Sequence, residues 1–584
     1  MIVCGLGNVG RQIALRLREA GAEVVGIDLA PSPRARHLAE QAGVRIVVGD
    51  ARLTAVLHDA GLATARSIVI ATSADPINLE IALIAEADDA DVRIVLRMFN
   101  QAIAQQLEAQ FPRWRVLSVP DLAAPTLIAA ALSPNVLRGW RIEGRLMALA
   151  EVDDREPTSL SEYPEVTPVY LRRGDRVEFW PAPDERIEEH ERVGVIAPVE
   201  RLQNMAGILR HARPEPAGRL AGTLTLPIRV WRGLETMILQ TEPILLWILG
   251  LIFGVGLLSI GVFALFFDLS VLDSLYFVTT IMTTTGFGDI SLRDAAPALK
   301  LYGVFLMVLG AGFLMPSVYA FVTLYIVSAR LQHLLGTIRA DFFDHIVVVG
   351  LGTVGFRVLE GLKELRLRVV GLDRGDGNEL SRTAAGLGTT VVQGDARRIE
   401  TLRLANVHRA RTIVVTTSDD VVNLETALNA RRQNPRLHVV LRLFDQSLAE
   451  RVGGALGFGA SFSPSGLAAP VFASAALGRS AIEAFNLHGR DLVIGRLEIE
   501  PGWDDRTVAE LGRELGLHAI ALVRARPADA AEPGRLLVPP GPGEPLRSGD
   551  ALVAIGEARA WEAGERGIDT IAGREIRKAP ARRC

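Results

Sequence analysis

Ile2–Gly10 reads IVCGLGNVG, and Ile346–Gly355 reads IVVVGLGTVG. In each, an apolar run fit for a strand meets a G-x-G-x-x-G turn and an amphipathic stretch follows. A second apolar run then closes on an acid, VVGID at Val24–Asp28 and VVGLD at Val369–Asp373. This is the dinucleotide-binding fingerprint in the strand, turn, helix and strand context that gives it meaning. The glycines let backbone approach a pyrophosphate at a helix N-terminus, where free N–H groups favour an anion. Asp28 and Asp373 stand where an acid hydrogen-bonds ribose hydroxyls, which favours NAD or an adenosine nucleotide over a 2′-phosphorylated one.

A constant offset of 345 relates the two segments. It carries Gly5, Gly7 and Gly10 to Gly350, Gly352 and Gly355, and likewise Asp28 to Asp373, Asp50 to Asp395, Asn78 to Asn423, Arg97 to Arg442 and Pro125 to Pro470. The chain therefore holds two copies of one α/β unit. Later apolar runs in each copy end in polar residues, and in open parallel sheets ligands bind at the C-terminal strand edge. The expected nucleotide-binding set is Gly5, Gly7, Asn8, Val9, Gly10, Asp28, Asp50, Ala51, Thr72 and Arg97 in copy one. In copy two it is Gly350, Gly352, Thr353, Val354, Gly355, Asp373, Asp395, Ala396, Thr417 and Arg442. Asp50 and Asp395 fit ligand contact and turn formation equally, whereas Ser73, Asp75, Ser418 and Asp420 read as loop caps. Arg97 and Arg442 suit phosphates or a carboxylate at a domain interface.

The 584 residues are too many for one core. With 63 Lys plus Arg against 67 Asp plus Glu there is no basic field for a nucleic-acid partner. Two cysteines, Cys4 and Cys584, and ten scattered histidines exclude a disulfide scaffold and a zinc module, and no metal ligands are assigned. A mean hydropathy of +0.26 points to a concentrated apolar region.

That region lies between the copies. No charge occurs from Ile244 to Phe267 or from Leu301 to Val327, and at about 1.5 Å per residue each run exceeds a hydrocarbon core of roughly 30 Å. Arg229, Arg232, Arg330 and Arg339 flank the pair on the outside, while Asp268, Asp273, Asp289 and Asp294 dominate the connection. The positive-inside rule makes both long flanks cytoplasmic. The connection holds an apolar stretch of about three helical turns, followed by Thr283 and then Thr284, Thr285, Gly286, Phe287, Gly288 and Asp289. Non-helical backbone at membrane depth is tolerated where it lines a polar cavity, and rings of its carbonyls replace the hydration shell of K⁺. Gly310, Gly312 and Pro316 in the second run read as close-packing positions or as a gating hinge at Gly310 and Gly312.

TTGFGD resembles the potassium-channel signature T-V-G-Y-G-D, with Thr for Val and Phe for Tyr. Both copies resemble the RCK (regulator of K⁺ conductance, TrkA-N/TrkA-C type) domain found in ligand-gated prokaryotic potassium channels and in subunits of bacterial K⁺ uptake systems. The resemblance implies a membrane α-helical pore of two spans plus pore helix and filter, with two cytoplasmic α/β Rossmann-like domains, each carrying a small α+β C-lobe. The expected domains are an N-lobe at 1–135, a degenerate C-lobe at 136–213, a linker and interfacial helix at 214–238, the pore at 239–330, a linker at 331–344, a second N-lobe at 345–480, its C-lobe at 481–557 and a disordered basic tail at 558–584. In the first C-lobe His190-Glu191 stands where the second has Gly549-Asp550.

The function implied is a non-enzymatic, ligand-gated K⁺ channel of the prokaryotic cytoplasmic membrane, both termini inside. NAD(H) or ADP/ATP would act as regulatory ligand, with Ca²⁺ or another divalent ion as a further option. One filter strand per chain implies a homotetramer with eight such domains in a ring, in contact with membrane lipid. A K⁺ uptake component and an NAD-dependent oxidoreductase are the alternatives. The short connection from the second span makes copy two the expected sensor and Asp28 an assembly residue. Met1 falls inside the first strand, which points to a truncated chain or a start further upstream.

Overall fold

The computed structural model describes residues 1–205, 243–319, 342–525 and 535–561, apart from short stretches within them. Met1–His211 with Ile338–Cys584 forms one compact unit, and Ala212–Thr337 forms another. The interfacial helix at 226–239, the four flanking arginines, most of the 331–344 linker and most of the tail lie outside the described residues.

In the larger unit each copy builds a six-stranded parallel sheet. Copy one orders its strands Arg45–Val48, Val25–Asp28, Ile2–Cys4, Ser67–Ile70, Arg93–Arg97, Trp114–Leu117. Copy two repeats that order with Thr390–Gln393, Val369–Asp373, Ile346–Val349, Thr412–Val415, His438–Arg442, Ala460–Phe462. The central strands are buried apolar runs such as Ile346–Val349, as a sheet covered on both faces requires. Strand order reverses beside Ile2–Cys4, so a crevice opens where the glycine turn leaves the sheet.

Four helices join the copies: α1 (Asn8–Glu19), α2 (Val119–Leu132), α3 (Thr353–Glu364) and α4 (Pro464–Ala476). Copy one's α2 packs on α3 of copy two, and copy two's α4 packs on α1 of copy one. Both crossing helices are apolar all round, which fits burial from two sides. Leu127 and Ile128 share a core with Val354, Val358 and Leu362, and Phe472 shares one with Ile13 and Leu17. Each crossing helix starts with Pro at its first turn behind a serine cap, Ser118 or Ser463. The exchange gives the pair an internal pseudo-twofold relation.

Both small lobes are five-stranded sheets of matching order. The first therefore keeps the whole strand plan despite its altered turn. Glu191 still takes a hydrogen bond from Arg173 Nε at 2.8 Å, as Asp550 takes one from Arg524 Nη1 at 2.6 Å. The two sheets share a core containing Trp140, Met147, Tyr170, Phe485, Ile494 and Ile555.

In the smaller unit, helix Pro243–Phe266 runs 24 residues. Ser270 caps the next helix, Val271–Met282, by accepting from Asp273 N at 3.1 Å. Helix Pro297–Leu309 continues as a π-helical turn, Gly310–Leu314. Among the described residues, the 18-residue stretch Pro297–Leu314 is long and apolar enough to cross a membrane.

Candidate functional site

A cavity of about 520 Å³ opens at the switch point of the first sheet. Its walls bring together Gly5, Gly7, Asn8, Val9, Asp28, Asp50, Ala51, Thr72 and Arg97 of copy one, and Thr353, Val354 and Arg442 of copy two. Two helix N-termini and two arginines from different copies thus converge on one space, an arrangement suited to an anion. Gly10, Gly350, Gly352, Gly355, Asp373, Asp395, Ala396 and Thr417 are not among the lining residues.

The three fingerprint glycines have separate jobs. Gly5 has φ +86°, and a Cβ there would sit 3.1 Å from Thr72 N. A Cβ on Gly10 would fall 1.8 Å from Gly5 O, so helix and turn need bare backbone. Gly7 meets nothing within 4 Å and faces the cavity, the open cradle a pyrophosphate needs.

Asp28 accepts from Leu6 N at 2.6 Å and Ala30 N at 2.9 Å, and it lines the cavity. Its counterpart Asp373 accepts from Leu351 N at 3.2 Å, Asn378 Nδ2 at 2.7 Å and Ser381 Oγ at 2.6 Å. Both acids hold their own turns, and of the two only Asp28 lines the cavity. Asp50 and Asp395 both form turns: Asp50 accepts from Arg52 N and holds its guanidinium at 2.7 Å, and Asp395 does the same with Arg397 at 2.6 Å, while Asp50 also lines the cavity. The Arg397 guanidinium holds the Asp395 carboxyl down at about 2.

Arg97 and Arg442 form no carboxylate ion pair among the described residues. Arg442 Nη1 donates to Thr416 O at 3.1 Å and Arg97 Nη1 to Ala71 O at 3.5 Å. Each lies over an aromatic ring, Phe99 at 4.9 Å and Phe444 at 4.6 Å, and each keeps a buried Nε without a partner. Burial lowers both guanidinium groups, Arg442 to about 10. An anion between them would relieve that cost, so the residues fit a phosphate-bearing ligand. Sequence reasoning missed Asn78 and Asn423 as working residues. Each is fully buried and ties the loop after the fourth strand to the fifth, Asn78 Nδ2 donating to Thr72 O and Arg97 O.

In the smaller unit, positive φ alternates along the filter stretch at Thr284 (59°), Gly286 (44°) and Gly288 (81°). Alternation of this kind turns successive carbonyls to one side, the arrangement a carbonyl ring needs. Thr285 N and Gly286 N donate to Thr280 O, anchoring the strand to the preceding helix. Tyr276, unremarked in the sequence, stacks on Phe287 with ring centroids 6.4 Å apart. A Cβ on Gly310 would fall 2.2 Å from Met282 O, which fits close packing, whereas Gly312 meets nothing within 4 Å. Among the described residues no three His, Cys, Asp or Glu side chains are placed to hold a metal ion.

Parallel sheets with glycine turns and a separate apolar helical segment define a class of channel-type chain that carries nucleotide-type domains. Family models match on those lines, the TrkA-N domain at residues 1–111 and 346–464 and the ion channel at 245–327. The chain belongs to the ion channels that carry TrkA-N domains, with one such domain on each side of its channel segment. It is 28% identical over 219 residues to an uncharacterized protein of Methanothermus fervidus, covering 36% of this chain and 32% of that one. It is 26% identical over 178 residues to probable potassium channel protein 2 of Methanocaldococcus jannaschii, covering 29% and 50%. The chain thus spans about a third to a half of the length of these curated relatives. Among solved structures, the GsuK RCK domain matches with a TM-score of 0.48 at 16% identity, over 98% of this chain and 94% of that one.

Proposed function

We propose that the protein is a nucleotide-gated potassium channel of the cytoplasmic membrane. Four chains would surround one pore, each giving two spans and one filter strand, and eight TrkA-N domains would form a ring on the cytoplasmic side. The observation that carries the regulatory half is the cavity in which Arg97 and Arg442 face one space beside the open Gly7 turn. A nucleotide there would touch both copies at once, its phosphates between the arginines and its ribose at Asp28. It would therefore favour one relative placement of the copies, and a ligand shifts an equilibrium only by its differential affinity for the two states. Copy one, whose Asp28 lines the cavity, becomes the binding copy and copy two contributes the second arginine, the reverse of the expectation drawn from the linkers. The alternating φ signs from Thr284 to Gly288 support the conducting half. Calorimetry with NAD⁺, NADH, ADP and ATP on purified full-length protein tests the ligand; absence of binding by all four would remove the nucleotide from this account.

A further inference from the structure

Arg138 and Glu483 are equivalent residues of the two copies, 345 positions apart, and they lie against each other with N and O separated by 4.0 Å. Their strands match through the following turn: Glu143 and His488 both have positive φ, 46° and 48°. Both side chains are buried, at 14% and 2% exposure. A residue that meets its own equivalent lies on the pseudo-twofold axis, and in an isologous pair of identical copies it would meet itself. Pairing two first copies would place Arg138 against Arg138, and pairing two second copies would place Glu483 against Glu483.

Two more contacts follow the same logic. Arg357 Nε lies 3.0 Å from Asp121, whereas the equivalents across the axis are Gln12 and Gly466, which carry no charge. Arg496 Nη1 meets Glu143 at 2.7 Å. Its equivalent in copy one is Glu151, so two first copies would bring acid to acid there.

We propose that Arg138 and Glu483 make this interface selective, so that a first copy accepts a second copy and neither accepts its own kind from a neighbouring chain. Two buried guanidinium groups without an anion have no way to shed charge, so self-pairing of first copies is the more strongly excluded. Two carboxyls could share a proton, so second copies are excluded less strongly. Burial raises the Glu483 carboxyl to about 8 and lowers the Arg138 guanidinium, each against the pull of the other's charge. Ring assembly would then proceed through other faces of the domain pair, with each chain's two copies already committed to each other. The inference stands apart from the channel reading, because it concerns only which copies meet.

The test uses full-length protein with a disulfide reporter across the seam. A Cβ on Gly361 falls 2.5 Å from Ile128 Cδ1 and 3.7 Å from its Cγ1, so Ile128→Cys/Gly361→Cys places two thiols in bonding range only when a first copy meets a second. Cys584→Ser removes the terminal thiol. After mild oxidation, cross-linked peptide is quantified by mass spectrometry. The native pair should cross-link nearly completely, Glu483→Arg should lower the yield at least about tenfold, and the swapped pair Arg138→Glu/Glu483→Arg should recover most of it. Native yield in Glu483→Arg, or a swap no better than the single change, would overturn the proposal. If Glu483→Arg does not accumulate, the swap is compared with Arg138→Glu alone, and equal yields overturn it as well.

Discussion

Arg97 of the first copy and Arg442 of the second, equivalent residues 345 positions apart, line the same cavity rather than two separate ones. The exchange of α2 and α4 brings the copies together so that one glycine cradle is served by two buried cations. Arg97→Ala and Arg442→Ala should each weaken nucleotide binding by about 1.5–3 kcal/mol, the range for hydrogen bonds to a charged group. Calorimetry on both variants checks this. An effect confined to Arg97 would mean that the second copy only closes the wall.

The two ribose-type acids should behave differently. Asp28→Ala should lower nucleotide affinity and also cost some stability, because Leu6 N and Ala30 N lose their acceptor. Asp373→Ala removes the acceptor for Leu351 N, Asn378 Nδ2 and Ser381 Oγ, and should cost roughly 1–3 kcal/mol of stability for the donors left buried, with affinity nearly intact. Thermal melts and calorimetry on the same preparations separate the two outcomes.

Gly310 and Gly312 differ in the same testable way. Gly310→Ala forces a methyl against Met282 O, directly before the filter, and should cost about 1–3 kcal/mol of packing and reduce conduction. Gly312→Ala has open space and should leave stability unchanged. Unequal effects read by thermal stability and ion flux identify Gly310 as a packing position; equal, mild effects would favour a hinge across both.

Two groups at the seam between copies give it opposite pH dependences. His438 Nε2 donates to Ala130 O at 2.8 Å across that seam, and burial, assisted by Arg411 and Arg431, lowers the imidazole from 6.5. A folded value below the unfolded one means that stability is present above 6.5 and is lost as pH falls from there toward the folded value. Glu483 works in the opposite sense: its carboxyl is raised from 4.5 to about 8, so its contribution is present below 4.5 and lost as pH rises through 8. His438→Gln should therefore remove the acid-side loss and raise the melting temperature at pH 5.5 relative to pH 7, compared with the native protein, leaving the Glu483 slope in place. Scanning calorimetry across that range checks the difference.

Much of this was legible in residues. The strand, turn and acid pattern at Ile2–Asp28 and Ile346–Asp373 depends on local backbone chemistry, so sequence spacing alone locates both sheets. The alternating Gly286 and Gly288 mark the expected filter stretch in the same local way. What sequence could not supply is the partner of each helix: α2 and α4 are apolar all round, and nothing in their own periodicity says that each crosses to the other copy. For that reason the joint cavity, and the placement of Arg442 on its wall beside the turn of copy one, escaped the reading. Asp50 and Asp373 show a second limit. Their identity permits ligand contact, and only the positions of Arg52, Asn378 and Ser381 show how their oxygens are already used.

The central claim joins the filter to the cavity, and current through the reconstituted protein tests both together. In planar bilayers with K⁺ on one side and Na⁺ on the other, the account predicts K⁺-selective openings whose probability changes when NAD(H), ADP or ATP is added on the cytoplasmic face. Arg97→Ala should keep the selectivity and lose the nucleotide response, and Gly286→Ala should abolish conduction. Equal Na⁺ and K⁺ currents, or openings indifferent to every nucleotide that the purified protein binds, would contradict it.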